Sequence, residues 1–269
     1  MPVAGEVRLK EDGAIAVVEL NHPGKYNAMS RAMWRRLAEV FRAIQADALN
    51  GGRWRCVLLR GAYGHFCAGG DIAEYPAFRF DRERLRAFHE DEVWGGLQAV
   101  IDCDVPIVAA IEGNCMGAGV EIASACDIRV AADSARFGAP IAKLGFPMAP
   151  REAALVAGAL GEATAREMLL EAAVLDAAEL RQRGFLQAVL PAQDLAMHAR
   201  GRAERIAMLS PQAARLNKQT LRALKWPPAH AATAQAAMQL IVEGAYDYAD
   251  SPEHREGIDA FLTKRRARF

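Results

Sequence analysis

A chain of 269 residues with 33 basic and 33 acidic side chains has no net charge to draw it to nucleic acid or an anionic membrane. Its 52% hydrophobic and 25% charged residues suit an ordinary soluble fold, with room for one large domain and an appendage. The five cysteines (Cys56, Cys67, Cys103, Cys115, Cys126) form no CxxC pair, and their odd number speaks against a disulfide framework, so a reducing compartment is expected.

The first residues, MPVAGEVRLKEDG, carry acids and lack an apolar h-region, and no charge-free run approaches the ~20 residues of a membrane span. A cytoplasmic location without membrane partners is therefore expected. Residues 14–20 (AIAVVEL) read as a buried strand ending in the turn Asn21-His22-Pro23-Gly24. Ser30 is a candidate N-cap for a helix whose Met33, Leu37, Val40, Phe41 and Ile44 share one face, ended by Asn50-Gly51-Gly52. Residues 55–61 form a second buried strand, and residues 62–72 (AYGHFCAGGDI) a glycine-rich loop. A helix is predicted over 81–99 and a third strand over 105–111. This alternation predicts parallel α/β layering.

The chain is organised around residues 107–127, IVAAIEGNCMGAGVEIASACD. A strand stops at Glu112-Gly113-Asn114, turns at Gly117-Ala118-Gly119, and opens a helical run over 120–125. Such a turn aims backbone N–H groups at whatever sits above the helix start. The same first turn carries one acid, Glu121. Fixed donors beside a single carboxylate suit proton transfer next to an oxyanion. Beyond it come a short strand over Ile128–Ala132, an irregular proline-rich segment over 137–150, and a largely helical remainder. Helical runs are read at 151–160, 162–172, 176–184, 194–209, 211–225, 229–250 and 252–267, with one more strand at 186–190.

Three chemistries compete for these signals. Dinucleotide binding fits Gly117-x-Gly119 poorly, because Ile122 occupies the third small position of the fingerprint and three strands precede it. A serine hydrolase lacks its G-x-S-x-G elbow. Two glycine turns, residues 67–71 and 117–119, each ending a parallel strand, can instead converge one amide apiece on a single oxygen. No His/Cys cluster has metal-ligand spacing, so no metal is expected.

The motifs together resemble the crotonase superfamily, the enoyl-CoA hydratase/isomerase family. Residues 21–29 (NHPGKYNAM) resemble its N-x-P-x-x-x-N-A-h segment, residues 66–72 (FCAGGDI) its F-x-A-G-x-D-h loop, and residues 105–127 its G-x-x-x-G-x-G-x-E helix turn. The tail, HREGIDAF followed by Lys264-Arg265, resembles its C-terminal ending. The resemblance implies an α/β fold, a crotonase-like repeated ββα spiral core over residues 1–195. It implies a C-terminal helical trimerisation region over 196–269, with the chain a homotrimer or a dimer of trimers. It also implies an acyl-CoA thioester substrate, with coenzyme A entering as part of the substrate and no separate cofactor.

In that family frame the N–H groups of Gly70 and Ala118 would form an oxyanion hole for the thioester carbonyl, and Glu121 would be the general acid/base. Lys25, Tyr26 and Ala28 would line the coenzyme A and acyl path with Ala68, Gly69, Gly70, Asp71 and Ile72. Lys264 would reach a coenzyme A phosphate, or else remain a solvated charge. The second hydratase glutamate would follow Phe137-Gly138-Ala139-Pro140, where this chain has Ile141, and Met148 replaces a glycine of the next loop. A two-carboxylate hydration mechanism loses a partner there, as does isomerisation through that acid.

Glu152, Asp71, Glu74, Tyr75, His65 and His89 were the substitutes in range, and none is assigned the role. Glu152 reads as a capping acid at a helix start, Asp71 as a brace of its own turn, and His65 as an exposed loop residue. Phe66, Tyr75, Phe78, Phe80 and Trp94 hint at an apolar pocket. The expected protein is an enoyl-CoA hydratase/isomerase-like enzyme that stabilises a thioester enolate. The alternatives are another crotonase-type isomerase, lyase or decarboxylase reaction, and a non-catalytic acyl-CoA-binding homologue.

Overall fold

The computed structural model describes residues 4–225, 239, 247 and 251–269. The helical run expected at 229–250 and the break at Trp226-Pro227-Pro228 lie almost entirely outside the described residues. A six-stranded sheet runs in the order β1 (Glu6–Asp12), β2 (Ile15–Asn21), β3 (Cys56–Gly61), β4 (Ile107–Ile111), β6 (Ile128–Ala132), β9 (Ala188–Leu190). Only β1 and β2 pair antiparallel; the remaining neighbours are parallel. A small second sheet joins β5 (Asn114–Met116), β7 (Arg136–Gly138) and β8 (Val174–Asp176).

The chain visits the sheets in turn. From β4 it enters β5 and then helix α4 (Ala118–Ala125); from β6 it enters β7 and then, past a 3₁₀ turn at Pro140–Leu144, helix α5 (Pro150–Leu160). Strand β3 begins a similar circuit, with Cys67 bridging Cys115 beside the small sheet. The repeat is strand, strand, helix, and it stacks the strand-to-helix turns on one side.

Side chains of the large sheet alternate between two cores, as the pleat requires. Val57, Leu59, Ile107 and Ala109 face α1 (Arg31–Leu49) and its neighbours. Cys56, Leu58, Val108 and Val130 face α8 (Ala192–Ala207), which lays Leu195, Ala199 and Ala203 on that side of the sheet. Helix α1 starts as its sequence predicts, with the Ser30 side chain accepting from the Met33 N–H at 3.2 Å. Helices α2 (Arg82–Ala87) and α3 (Trp94–Asp102) are joined through a π-helical turn, Phe88–Val93, where one continuous helix is expected.

The strands β1, β5, β7 and β8 are also missing from the sequence reading. Three of them are three-residue strands, too short for a period to declare itself. Helix α9 (Pro211–Lys225) is tied to the core by ions: Lys218 to Asp127 at 2.7 Å, and Arg222 to Asp104 at 2.8 Å. A last described helix, α10 (Pro252–Leu262), meets the start of α9 where Glu253 accepts the Gln212 N–H at 3.0 Å. All five cysteines are free and buried. Burial pushes the thiols of Cys56, Cys67 and Cys126 up to about 12, that of Cys103 up to about 11, and that of Cys115 well above its usual range.

Candidate active site

Two turns meet at one cavity. The residue 67–71 turn is pinned on one side by the loop before α1: Met29 N–H donates to Gly69 O, and Asp71 N–H donates to Met29 O, both at 2.8 Å. Amides alternate in direction along an extended segment, so the Gly70 N–H, between those two pinned groups, points away from Met29. The second turn is Gly117, with φ 47° and ψ −109°, a combination that favours glycine. Its own N–H donates to Gly138 O at 2.8 Å, anchoring the start of α4 to β7. Gly119 is needed for close approach, since a Cβ there would sit 2.7 Å from Cys67 O. The turns are thus held against each other. Neither the Gly70 nor the Ala118 N–H meets an acceptor among the described residues, and both residues line the same cavity of about 220 Å³. The Ala118 amide is free because it belongs to the first helical residue, which has no partner a turn earlier.

Glu121 stands one turn into α4 and lines this cavity while being only 9% exposed. Burial, and secondly the charge of Glu152 opposite, push its carboxyl up to about 8. Glu152 comes from the first turn of α5, lines the same cavity, and is 2% exposed. It caps no backbone group among the described residues; its Oε1 instead meets His89 Nδ1 at 3.1 Å, and its Oε2 is buried with no partner among them. The expectation of a capping acid is therefore corrected: the first turn of α5 is closed by Pro150, and the carboxylate turns inward. His89 lies on the π-helical turn, a local widening that recurs at functional sites.

Apart from Arg79, the rest of the wall is largely apolar, with Trp34, Tyr75, Phe88, Phe146, Met148 and Ile141 among its residues. Tyr75 packs edge-on against Phe78, Phe88 and Phe146, and burial raises its phenol. Arg79 lies 3.4 Å over the Phe146 ring. Of the aromatics expected in the pocket only Tyr75 lines it; Phe66 and Phe78 are core, Phe80 is 89% exposed, and Trp94 packs beside the core.

Among the residues expected at the site, the structure gathers Ala68, Gly69, Gly70, Ile72, Ala118 and Glu121 on the cavity. Asp71 sits just behind, capping the following 3₁₀ turn through Ala73 N–H and pairing with Lys25 Nζ at 2.6 Å. Ala28 closes the same loop by donating its N–H to Lys25 O at 2.9 Å. Tyr26 is 59% exposed and rests edge-on against His65, their rings 4.5 Å apart. His65 is half-buried rather than exposed, because its Nδ1 accepts the Asn114 N–H. Lys264 is exposed on the tail and does not line this cavity.

The model of the enoyl-CoA hydratase/isomerase family matches residues 10–269. The chain belongs to that family. A probable enoyl-CoA hydratase of Mycobacterium tuberculosis is 29% identical over 267 residues, covering 98% of this chain and 97% of the relative. The 2,3-dehydroadipyl-CoA hydratase of Escherichia coli is also 29% identical, covering 98% of each chain. Among solved structures, an enoyl-CoA hydratase/carnithine racemase of Magnetospirillum magneticum superposes with a TM-score of 0.89 at 35% identity, covering 98% of this chain and 94% of that one. The crotonase fold, with its strand–strand–helix spiral and helical C-terminal region, is the architecture of this family member.

Proposed function

We propose that this crotonase acts on an acyl-CoA thioester by holding its carbonyl oxygen as an enolate while Glu121 moves the proton at Cα. The observation that carries the proposal is the meeting of two unpartnered amides, from Gly70 and Ala118, with a buried carboxyl on one cavity. An enolate forms when the Cα–H electron pair shifts toward the carbonyl and the oxygen takes the charge. Each amide aimed at that oxygen typically contributes ~2.7–4 kcal/mol to the transition state. Glu121 is matched to this step because a carboxyl raised toward neutrality is both a better base when ionised and available as an acid when not. The names of the relatives, hydratases of CoA thioesters, support the substrate class.

Lys25, Tyr26, Ala28, Asp71 and Ile72 form the approach for the coenzyme A portion in this reading. Lys264 is assigned to a phosphate of that portion on a neighbouring subunit. Leu221 and Leu224 on α9 are 66% and 63% exposed, which supports residues 196–269 as an oligomerising region. No separate cofactor is required by the proton transfer. Among the described residues no helix is long and apolar enough to cross a membrane.

The test is Cα–H exchange from a saturated acyl-CoA such as butyryl-CoA in deuterated water. Wild type is expected to exchange, and Glu121→Gln to slow exchange by at least about 10²-fold. Tight binding of the thioester by wild type with no exchange would leave a binding module in place of an enzyme.

A further inference from the structure

The loss of an acid at Ile141 leaves open what acts at the next carbon along the acyl chain. We propose that Glu152, held by His89, is the second acid/base of this site and supplies from α5 the carboxylate that position 141 lacks. Three observations meet here. Glu152 lines the same cavity as Glu121, from the helix packed against α4. It is 2% exposed, and one of its oxygens is fully buried with no partner among the described residues, an arrangement that costs stability unless a ligand meets it. Its other oxygen is fixed by the His89 ring, which is itself 21% exposed and so links the buried acid to solvent.

The proposal rests on the enolate reading above. Water lies between Cβ of a 2-enoyl-CoA and Glu152. The Glu152 carboxylate takes a proton from that water as its oxygen bonds to Cβ. The Cα=Cβ electron pair moves onto the thioester, whose oxygen is held by the Gly70 and Ala118 amides. Protonated Glu121 then delivers its proton to Cα, and the thioester carbonyl re-forms. One water has been added across the double bond, Glu152 holds the proton, and Glu121 is ionised. Passage of that proton from Glu152 to Glu121 restores the starting pair. His89 is a positioning residue: its Nδ1 lies 3.1 Å from Glu152 Oε1 and holds that side of the carboxylate in place.

The titratable and charged groups facing Glu152 are Glu121 on α4, His89 on the π-helical turn, and Tyr75 and Arg79 across the cavity. Its neighbour Arg151 is turned to Glu90, at 3.1 Å.

The experiment measures two reactions in the same full-length preparations: Cα–H exchange from butyryl-CoA, and water addition to crotonyl-CoA and its medium-chain homologues. Glu152→Gln is expected to lower water addition by about 10²-fold or more. Exchange should persist in that variant, with its midpoint moved to lower pH because the charge opposite Glu121 is gone. His89→Leu is expected to lower water addition by about tenfold while leaving Cα–H exchange near wild type, since the carboxylate loses the group that holds it. His89→Asn, which keeps a donor near the Nδ1 position, should recover most of the rate.

Equal water addition by wild type and Glu152→Gln overturns the assignment, as does a wild type that exchanges Cα–H but adds water to none of these thioesters. Absence of exchange in wild type counts instead against the enolate reading itself. Should Glu152→Gln fail to fold, the His89 pair decides: equal water addition by His89→Leu and wild type, or no recovery in His89→Asn, overturns the proposal.

Discussion

The two walls of the cavity are built on different principles. One wall is backbone: Gly70 and Ala118 offer amides fixed by pinned turns, and their chemistry does not depend on side-chain identity. The other wall is side chain: Ile141, Met148 and Glu152, presented by a 3₁₀ turn and the start of α5. The side-chain wall carries an alkane at 141 and a carboxylate, Glu152, from the helix that follows.

The sharpest way to break this comparison is to remove one amide without touching a side-chain function. Ala118 is the first residue of α4, a position where proline fits a helix and lacks only the N–H. Ala118→Pro is expected to lower the Cα–H exchange rate by about 10²–10³-fold while far-ultraviolet circular dichroism stays that of wild type. A loss under threefold would mean that the amide wall is scaffolding.

Glu121 sits where the walls meet, and its ionisation reports on both. Its carboxyl ionises near 4.5 in the unfolded chain and near about 8 in the fold, for reasons of burial first and of Glu152 second. Below pH 4.5 both states hold the proton and the buried acid carries no ionisation cost. Between 4.5 and about 8 the unfolded chain releases it first, so stability falls as pH rises, and above that window the loss is complete. Glu121→Gln, which cannot ionise, should therefore gain on wild type progressively across that window in urea midpoints. As a base toward Cα–H, wild-type Glu121 must be ionised, so exchange should climb with pH and level off above about 8. Tyr75, Arg79, His89 and Glu152 share the cavity with it and are the groups that could move that midpoint.

A smaller effect sharpens the side-chain wall. Ile141 already lines the cavity, so Ile141→Glu in a Glu152→Gln background should recover water addition by about tenfold. No recovery would indicate that position 141 no longer faces the reacting carbon. The smallest effect lies behind the backbone wall. Asp71→Asn removes the charge that holds Lys25, whose side chain is 37% exposed, so the ion pair contributes at most about 1 kcal/mol. A rise of a few-fold in KM for acyl-CoA with kcat nearly unchanged is expected from steady-state assays.

The difference between the walls also explains what could be read from the chain beforehand. Gly117-Ala118-Gly119 and Glu121 declare themselves locally, because a strand, a glycine turn and a helix start occupy consecutive residues. The paired turn at 67–71 was legible for the same reason. Glu152 was not: its approach to Glu121 depends on β7, the 3₁₀ turn and α5 folding back over α4, and no sequence spacing encodes that path. An acid at the start of a helix reads as a cap, and only the absence of any capped backbone group contradicts it. The π-helical turn that carries His89 was equally silent, since one extra residue in a turn barely disturbs a helical period. The long elements α1, β2, β3 and β4 emerged near their expected bounds, because each carries a full apolar period or run.

The five buried thiols have a practical outcome. At neutral pH nearly all of each remains protonated, and none lies open to an electrophile. A cysteine introduced at the exposed position Tyr63 would then be the preferred target of a maleimide dye, so that the surface could be labelled at one place without first stripping the native sulfur from the core.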